Sequence, residues 1–466
     1  MRMSTFLKAG VALCVLGLPC MAAAETLDEA LASAYQSNPT LLAQRAHLRS
    51  QDELVPQALS NWRPSVSVTG SVSRTDSYTN TSTPPGSTST PEVVGATISE
   101  PLYRGGQTTA QTKQAEAQVQ AGRAQLLSIE QTVLLNVVSA YMNVVQYQAV
   151  VELNKNNEQV LRRQMEATND RFRVGEVTRT DVAQAESRLS AAHADLVASQ
   201  GNLQVATANY VTVVGHAPDR VQAPPALGTL PVSVEAARQS ALQGNPTVLQ
   251  QTYSYEAALR GIDLQTGKLL PQLALSGSYS KTMNGAAFAG MSGDDHYTTK
   301  SKSIGLNLTV PIYQQGAEYS AIRQQKSVAG EARVSLDQAR RDAVESTGRA
   351  WEQLQSSRAR IVSYTDQIKA AQTALDGVRR ESEVGSRTVL DVLNAEQEFL
   401  QARVNLVAAQ HDEMVAEYTL KSAIGQLTAQ SLSLPVEIYD PVKHYQEVRG
   451  KWFGVGGDPA LTGSAK

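Results

Sequence analysis

The chain of 466 residues is poor in aromatic side chains, at 5%, with five Phe and three Trp. That shortage argues against one thick globular core, since aromatics dominate the burial such cores depend on. Its two cysteines, Cys14 and Cys20, both precede Glu25, so removal of that segment leaves neither disulfide nor thiol chemistry. No apolar run reaches the roughly 20 residues a membrane helix needs. The run from Ala9 to Leu18 is flanked by Arg2, Lys8 and Ala22-Ala23-Ala24, the pattern of a signal peptide over residues 1–24. The six histidines are scattered without metal-ligand spacing, and no Gly-rich loop followed by Lys is present to cradle a phosphate. Asp294-Asp295-His296 lies in a polar stretch and reads as solvated. No catalytic, cofactor-binding or metal site is therefore expected, and the chain does not read as an enzyme. Basic excess is missing too. Removing Arg2 and Lys8 from 41 basic residues leaves 39 against 44 acidic, a balance of −5, which points away from nucleic acid.

What the chain does have is an internal copy. Asn38-Pro39 recurs as Asn245-Pro246 and Pro64-to-Gly70 as Pro271-to-Gly277, both 207 positions later. Pro101-Leu-Tyr-Arg-Gly-Gly106 returns as Pro311-Ile-Tyr-Gln-Gln-Gly316, and Val174-Gly175 as Val384-Gly385, now 210 positions later. The three added residues fall between two strand-like segments, where a loop absorbs them. The organisation read from this is a first repeat over 25–217, a Pro-rich linker over 218–232, a second repeat over 233–430, and a C-terminal tail over 431–466 that loses order toward its end.

Each repeat is mostly helix. Val182, Ala185, Leu189, Ala192, Leu196, Ser199, Leu203, Ala206, Tyr210 and Val213 follow a strict three-four spacing, and the copy from Val392 to Ala423 breaches it only at Glu413. A seven-residue repeat held this long is a coiled-coil seam. A longer helix runs from about Gly106 to Arg173, and again from Gly316 to Glu383, on the order of 100 Å each. The first carries two offset seams, Val133-Val137-Ala140-Val144 and Leu134-Val138-Tyr141-Val145, so it has neighbours on both flanks. Asn38-Pro39 and Asn245-Pro246 read as an Asn cap with Pro in the first turn, dividing each leading helix in two. Pro56 has no counterpart and no explanation in sequence.

Four short segments, near 64–73, 93–101, 271–280 and 303–311, alternate with period two between apolar and small polar residues. Pro64, Pro101, Pro271 and Pro311 stand where helix meets strand. An apolar face opposite a small polar one suits a wall between lipid and a wet lumen. Four strands cannot close, and open edges in lipid cost several kcal/mol per stranded backbone group. Twelve strands from a homotrimer would close around an open lumen.

Here the chain resembles the TolC-type outer-membrane channels of efflux and type I secretion systems, over residues 25 to about 430. The resemblance is carried by Val384-Gly-Ser-Arg-Thr-Val-Leu-Asp-Val-Leu393 and its weaker copy Val174-Gly-Glu-Val-Thr-Arg-Thr-Asp-Val182. It implies a mainly α protein built from a duplicated helix, β-hairpin, long helix and helix unit. Three chains would form a 12-stranded barrel in outer-membrane lipid, continuous with a periplasmic helical tunnel. It implies a passive exit duct that works with a periplasmic adaptor and an inner-membrane transporter, ABC or proton-driven. By resemblance, Arg387, Asp181 and Asp391 are gate residues at the periplasmic end, with Arg387 bonding Asp181, while Ser382 and Asn394 depart from the tyrosine and aspartate of the family. The bland reading of Asp181 and Asp391 is that they are first-turn acids favoured by the helix dipole. Val174, Gly175, Val384 and Gly385 lie at the helix-to-helix turns, and the resemblance implies an adaptor docks there. The rival readings are a periplasmic adaptor, which needs a lipoyl-like unit and one hairpin, and a surface coiled coil, which needs no alternating strands.

Overall fold

A computed structural model describes residues 25–78, 87–218, 221–225, 227–228, 230–286 and 297–456. The signal segment, the Asp294-Asp295-His296 cluster and the last ten residues lie outside these.

Leu27–Ser37 (α1) starts at Thr26, whose hydroxyl and the Glu29 carboxylate satisfy each other's backbone N–H in a capping box. Pro39–Asp52 (α2) follows with Asn38 as its cap and Pro39 in its first turn. The cap has a second role, since Asn38 Nδ2 donates to Val213 O at 3.0 Å, joining the top of one helix to the end of another. In the second repeat Val234–Gly244 (α6) and Pro246–Gly267 (α7) meet at Asn245, which donates to Ala423 O at the same distance. Pro56 finds its explanation in a break at Glu53. The chain restarts as Leu54–Leu59 (α3), which places Pro56 in a first turn where a missing N–H costs nothing. α7 has no proline there and runs on unbroken.

The long helices Gln107–Arg173 (α4) and Ala317–Glu383 (α8) have 67 residues each, and Arg179–Val214 (α5) and Val389–Ala423 (α9) return antiparallel along them. Both seams of α4 are used. Leu134, Val137, Val138, Tyr141 and Val144 are buried against α1, α5 and the chain after α9. α8 is barer, with Val328, Val334 and Val362 exposed, as befits a helix on the edge of the chain's own layer. The breach at Glu413 is an ion pair. Arg358 reaches Glu413 at 3.1 Å and the buried Glu417 at 2.7 Å, and Glu417 also accepts the Leu227 N–H of the linker at 3.0 Å.

The strands form one antiparallel sheet. Ser65–Val72 (β1), with its short continuation Thr75–Ser77 (β2), pairs with Ser87–Arg104 (β3); Gln272–Ala286 (β4) pairs with β3; Tyr297–Thr309 (β5) pairs with β4. β3 is longer than alternation alone marks, because it has a partner on each side through most of its length. It runs through Pro101 rather than stopping there, and the register shifts between Pro101 and Tyr103, a place where a residue without N–H fits. Pro311 lies beyond the end of β5.

Register aligns the two faces. Val66, Ile98, Gly277 and Ile304 stand in one row, with Leu275 and Leu306 in the next. Ser67, Thr97, Ser278 and Ser303 form a row on the opposite face, bonded as Ser67 to Thr97 at 2.7 Å and Ser278 to Ser303 at 2.8 Å. Among the described residues nothing covers the apolar face. Val66, Val68, Val72, Ile304, Leu306 and Leu308 are each at least 62% exposed. Lys281 and Lys300 pair across the sheet on the apolar side, above that band. Among the described residues no helix is long and apolar enough to cross a membrane.

Candidate functional site at the helix tips

The end farthest from the sheet is two helical reversals. α4 closes with Val174 as C-cap and Gly175 at φ 84°, and Gly175 N–H donates to Phe172 O and Glu176 N–H to Arg171 O, both at 3.0 Å. The copy closes alike, with Gly385 at φ 78°, its N–H to Ser382 O at 3.2 Å and Ser386 N–H to Glu381 O at 2.9 Å. This double bonding around a left-handed residue requires glycine for its φ, since a Cβ at either position would meet nothing within 4 Å. Val174 and Val384 are left at the apices, 72% and 80% exposed.

The return helices start at Thr178 and Thr388, and here the two acids find their partners. Asp181 Oδ2 accepts Thr178 N–H at 2.8 Å and its hydroxyl at 2.7 Å, while Asp181 N–H donates to Thr178 Oγ1 at 3.3 Å. Asp391 does the same with Thr388 at 3.0, 2.8 and 3.2 Å. The Thr388 backbone and hydroxyl bonds, with Arg387 nearby, hold the Asp391 carboxyl below the ordinary carboxylate range. The threonines were missed in the sequence, although Thr-x-x-Asp at the mouth of an apolar run is the signal for this box.

Within one chain Arg387 does not bond Asp181. Its Nε donates to Glu381 Oε2 at 2.9 Å, and both side chains are about half exposed, 52% and 51%. Arg387 and Asp181 nevertheless line the same cleft between the two turns, about 510 Å³, with Arg171, Glu176, Ser382 and Thr388. Ser382 sits in its wall. Asn394 accepts Arg188 Nη2 at 2.9 Å, and Arg188 also bonds Gln397, so the position that departs from the family's acid ties α5 to α9. Arg379 bonds the buried Glu396, tying α8 to α9. Beneath these polar links Leu161, Ala192, Val389 and Leu393 form a small buried cluster that joins the two hairpins. Lone arginines gave no hint of these partners, which lie on other helices.

This chemistry binds and holds; nothing in it transfers a group. Among the described residues no three His, Cys, Asp or Glu side chains cluster so as to hold a metal.

Comparison with known proteins places the architecture. In fold the chain is similar to the Campylobacter jejuni CmeC outer membrane channel, with a TM-score of 0.76 at 17% identity, covering 91% of this chain and 89% of that one. In sequence it is 38% identical over 434 residues to the outer membrane efflux protein BepC of Brucella suis, covering 93% of this chain and 92% of the relative. It is 26% identical over 440 residues to the outer membrane protein TolC of Escherichia coli, covering 91% and 86%. The family model described as outer membrane efflux protein matches it twice, over residues 30–216 and 237–426. The chain belongs to the outer membrane efflux protein family.

Proposed function

We propose that three copies of this chain assemble into the outer-membrane exit duct of a tripartite efflux or type I secretion system. The observation that carries the assembly is the sheet: four staves in the order β1-β3-β4-β5, among the described residues bare at both edges and apolar on one uncovered face. Backbone groups at an open edge cannot be left in hydrocarbon, so β5 of one chain pairs with β1 of the next, and three chains give twelve strands around an open lumen. The Ser and Thr rows then line the water and the Val, Ile and Leu rows face lipid. The helices continue the tube about 100 Å into the periplasm. The duct is passive and not an enzyme. A periplasmic adaptor and an inner-membrane transporter, ABC or proton-driven, supply cargo and energy.

The tips form the gate and the dock. The Arg387 to Glu381 pair is exposed and screened by water, so it contributes little to stability. It is poised to exchange Glu381 for Asp181 across the cleft or in an adjacent subunit, which biases the closed state without locking it. The apolar cluster of Leu161, Ala192, Val389 and Leu393 contributes more. Val174-Gly175 and Val384-Gly385 offer exposed valines on rigid glycine turns, a surface for an adaptor's hairpin. The test is conductance in a planar bilayer. Purified trimer should show small openings that Arg387→Ser enlarges, and unchanged conductance removes these residues from the gate. Cysteine crosslinkers at positions 175 and 385 that capture no adaptor in cells would remove the dock.

A further inference from the structure

The two repeats differ sharply at mid-height on one face. In the first repeat the chain after α9 packs into a seat between α1 and α4, where Leu427, Ala429 and Leu434 are buried with Leu31, Tyr35, Leu134 and Val138. The Ala429 N–H donates to Glu130 Oε1 at 2.8 Å within this seat. The strap then climbs α2. Tyr439 N–H donates to the Tyr35 hydroxyl at 3.1 Å, Arg45 lies over both tyrosine rings at 4.4 and 5.2 Å, and His444 bonds Asp52 at 3.0 Å. Tyr445, on Lys443–Arg449 (α10), packs against the cluster of Val55 and Ala58.

Among the described residues the corresponding seat of the second repeat, between α6 and α8, is an open groove of about 600 Å³ lined by Arg238, Arg340, Arg341, Arg349 and Gly348 with a single carboxylate, Glu345. Glu345 pairs with Arg349 at 3.0 Å, and Arg340 and Arg238 reach Asp337 and Glu235 of their own helices at 3.6 and 4.0 Å, which leaves the groove with a cationic excess centred on Arg340 and Arg341. The lags of 207 and 210 pair Leu31 with Arg238, Glu130 with Arg340, Gln131 with Arg341, Val138 with Gly348 and Ser139 with Arg349. Where the first seat offers a carboxylate to a backbone N–H, the second offers guanidinium, which only donates. A seat of the same kind therefore asks for an acidic strand of chain.

Sheet order says what stands beside it. β3 leads into α4 and β4 emerges from α7; β3 pairs with β4, and α4 packs on α7. By the same rule β5 leads into α8 and β1 emerges from α2 and α3, so pairing of β5 with the next β1 sets α8 beside α2 and α3 of the next subunit. That is the pair of helices the strap climbs. Its stretch at Tyr439 stands at the height of Tyr35 and Leu134, which the lag makes level with Val344 on α8. Glu437 and Asp440 of the strap are both exposed.

We propose that the arginine groove of each subunit receives the C-terminal strap of its neighbour, with Glu437 and Asp440 of the partner subunit against Arg340 and Arg341. Three straps then buckle the tube at mid-height, independently of barrel and tips. The inference rests on the trimeric reading above, and its test separates the two. With Cys14 and Cys20 removed in the signal segment, the mature chain is a cysteine-free background. Full-length Arg341→Cys/Glu437→Cys and Arg340→Cys/Asp440→Cys proteins, purified from outer membranes and mildly oxidised, should run as covalent dimers and trimers on denaturing non-reducing gels, with single variants monomeric. Arg340→Glu/Arg341→Glu should lose heat-resistant trimer roughly tenfold, and adding Glu437→Arg/Asp440→Arg should restore it. A trimeric native mass with no intersubunit crosslink from either pair, and no rescue by the charge swap, overturns the strap and leaves the trimer standing. Free reaction of Arg341→Cys with a bulky thiol reagent in the isolated trimer also overturns it, leaving the groove to an acidic segment of another protein. A monomeric mass overturns both readings.

Discussion

Leu306→Arg set against Asn307→Arg tests which face of the sheet meets lipid. The two positions are adjacent on β5 and point to opposite faces. Leu306 is 62% exposed in the single chain and stands across from Leu275, in the row next to Ile98 and Ile304. Lys302 and Lys300 lie four and six residues earlier on β5, which sets Leu306 within the apolar band rather than at its rim. An arginine near the bilayer midplane costs about 2–4 kcal/mol, so three copies cost roughly 6–12 kcal/mol per trimer. That equals the whole stability of an ordinary domain, about 5–15 kcal/mol. Asn307 is on the wet face, where its Nδ2 donates to Ser276 Oγ at 2.9 Å. Arginine there loses one exposed bond, about 0.5–1.5 kcal/mol, and adds solvated charge. The assay is refolding into lipid vesicles in a urea series, read by the heat-modifiable mobility of the trimer on gels. Leu306→Arg should abolish or strongly shift the transition while Asn307→Arg moves it little. Equal shifts, or a larger one for Asn307→Arg, would refute the assignment of faces and with it the barrel.

Thr178→Ala removes a capping box and should weaken the start of α5 by about 1 kcal/mol, seen as faster amide exchange over residues 179–182 with the barrel unaffected. At Asp391 the folded carboxyl is held below its ordinary value of about 3.9, so its contribution is complete above that pH and fades as pH falls through the lowered value. Exchange protection at the start of α9 should thus be flat from about pH 5 to 8 and drop below about pH 4; a drop centred near neutrality would contradict the assignment. Glu417→Ala strands the Leu227 N–H and one arm of Arg358, at about 1–3 kcal/mol in a thermal or urea melt, whereas Glu413→Ala should cost well under half of that. Arg387→Ser, beyond raising conductance, should leave trimer melting unchanged, because the pair it breaks is exposed.

Periodicity made much of the architecture legible. A seven-residue seam sustained from Val182 to Val213 has one physical use, and an exact lag identifies a copied unit without knowledge of its shape. Local chemistry at chain reversals was also legible at Asn38, Gly175 and Gly385, because the residue itself dictates the conformation. Partners brought together from distant segments were not. Glu413 looked like a flaw in a seam until Arg358 on the neighbouring helix supplied the counter-charge. Arg387 was read through the family as bonding Asp181, yet in the single chain the nearest acceptor is Glu381, six residues back. The strap is the extreme case: its seat is built by residues about 300 to 400 positions earlier, as in the Ala429 to Glu130 and Tyr439 to Tyr35 bonds, and no period marks them. β3 outran its pattern for a related reason, since strand length is set by how far both neighbours extend.

Native mass spectrometry of the detergent-solubilised mature protein tests the central claim most directly. If the four amphipathic strands of each chain are staves of one shared wall, the particle carries three chains and dissociates only with loss of the sheet. A folded monomer of the mature chain, stable without detergent and retaining its strands, would contradict it.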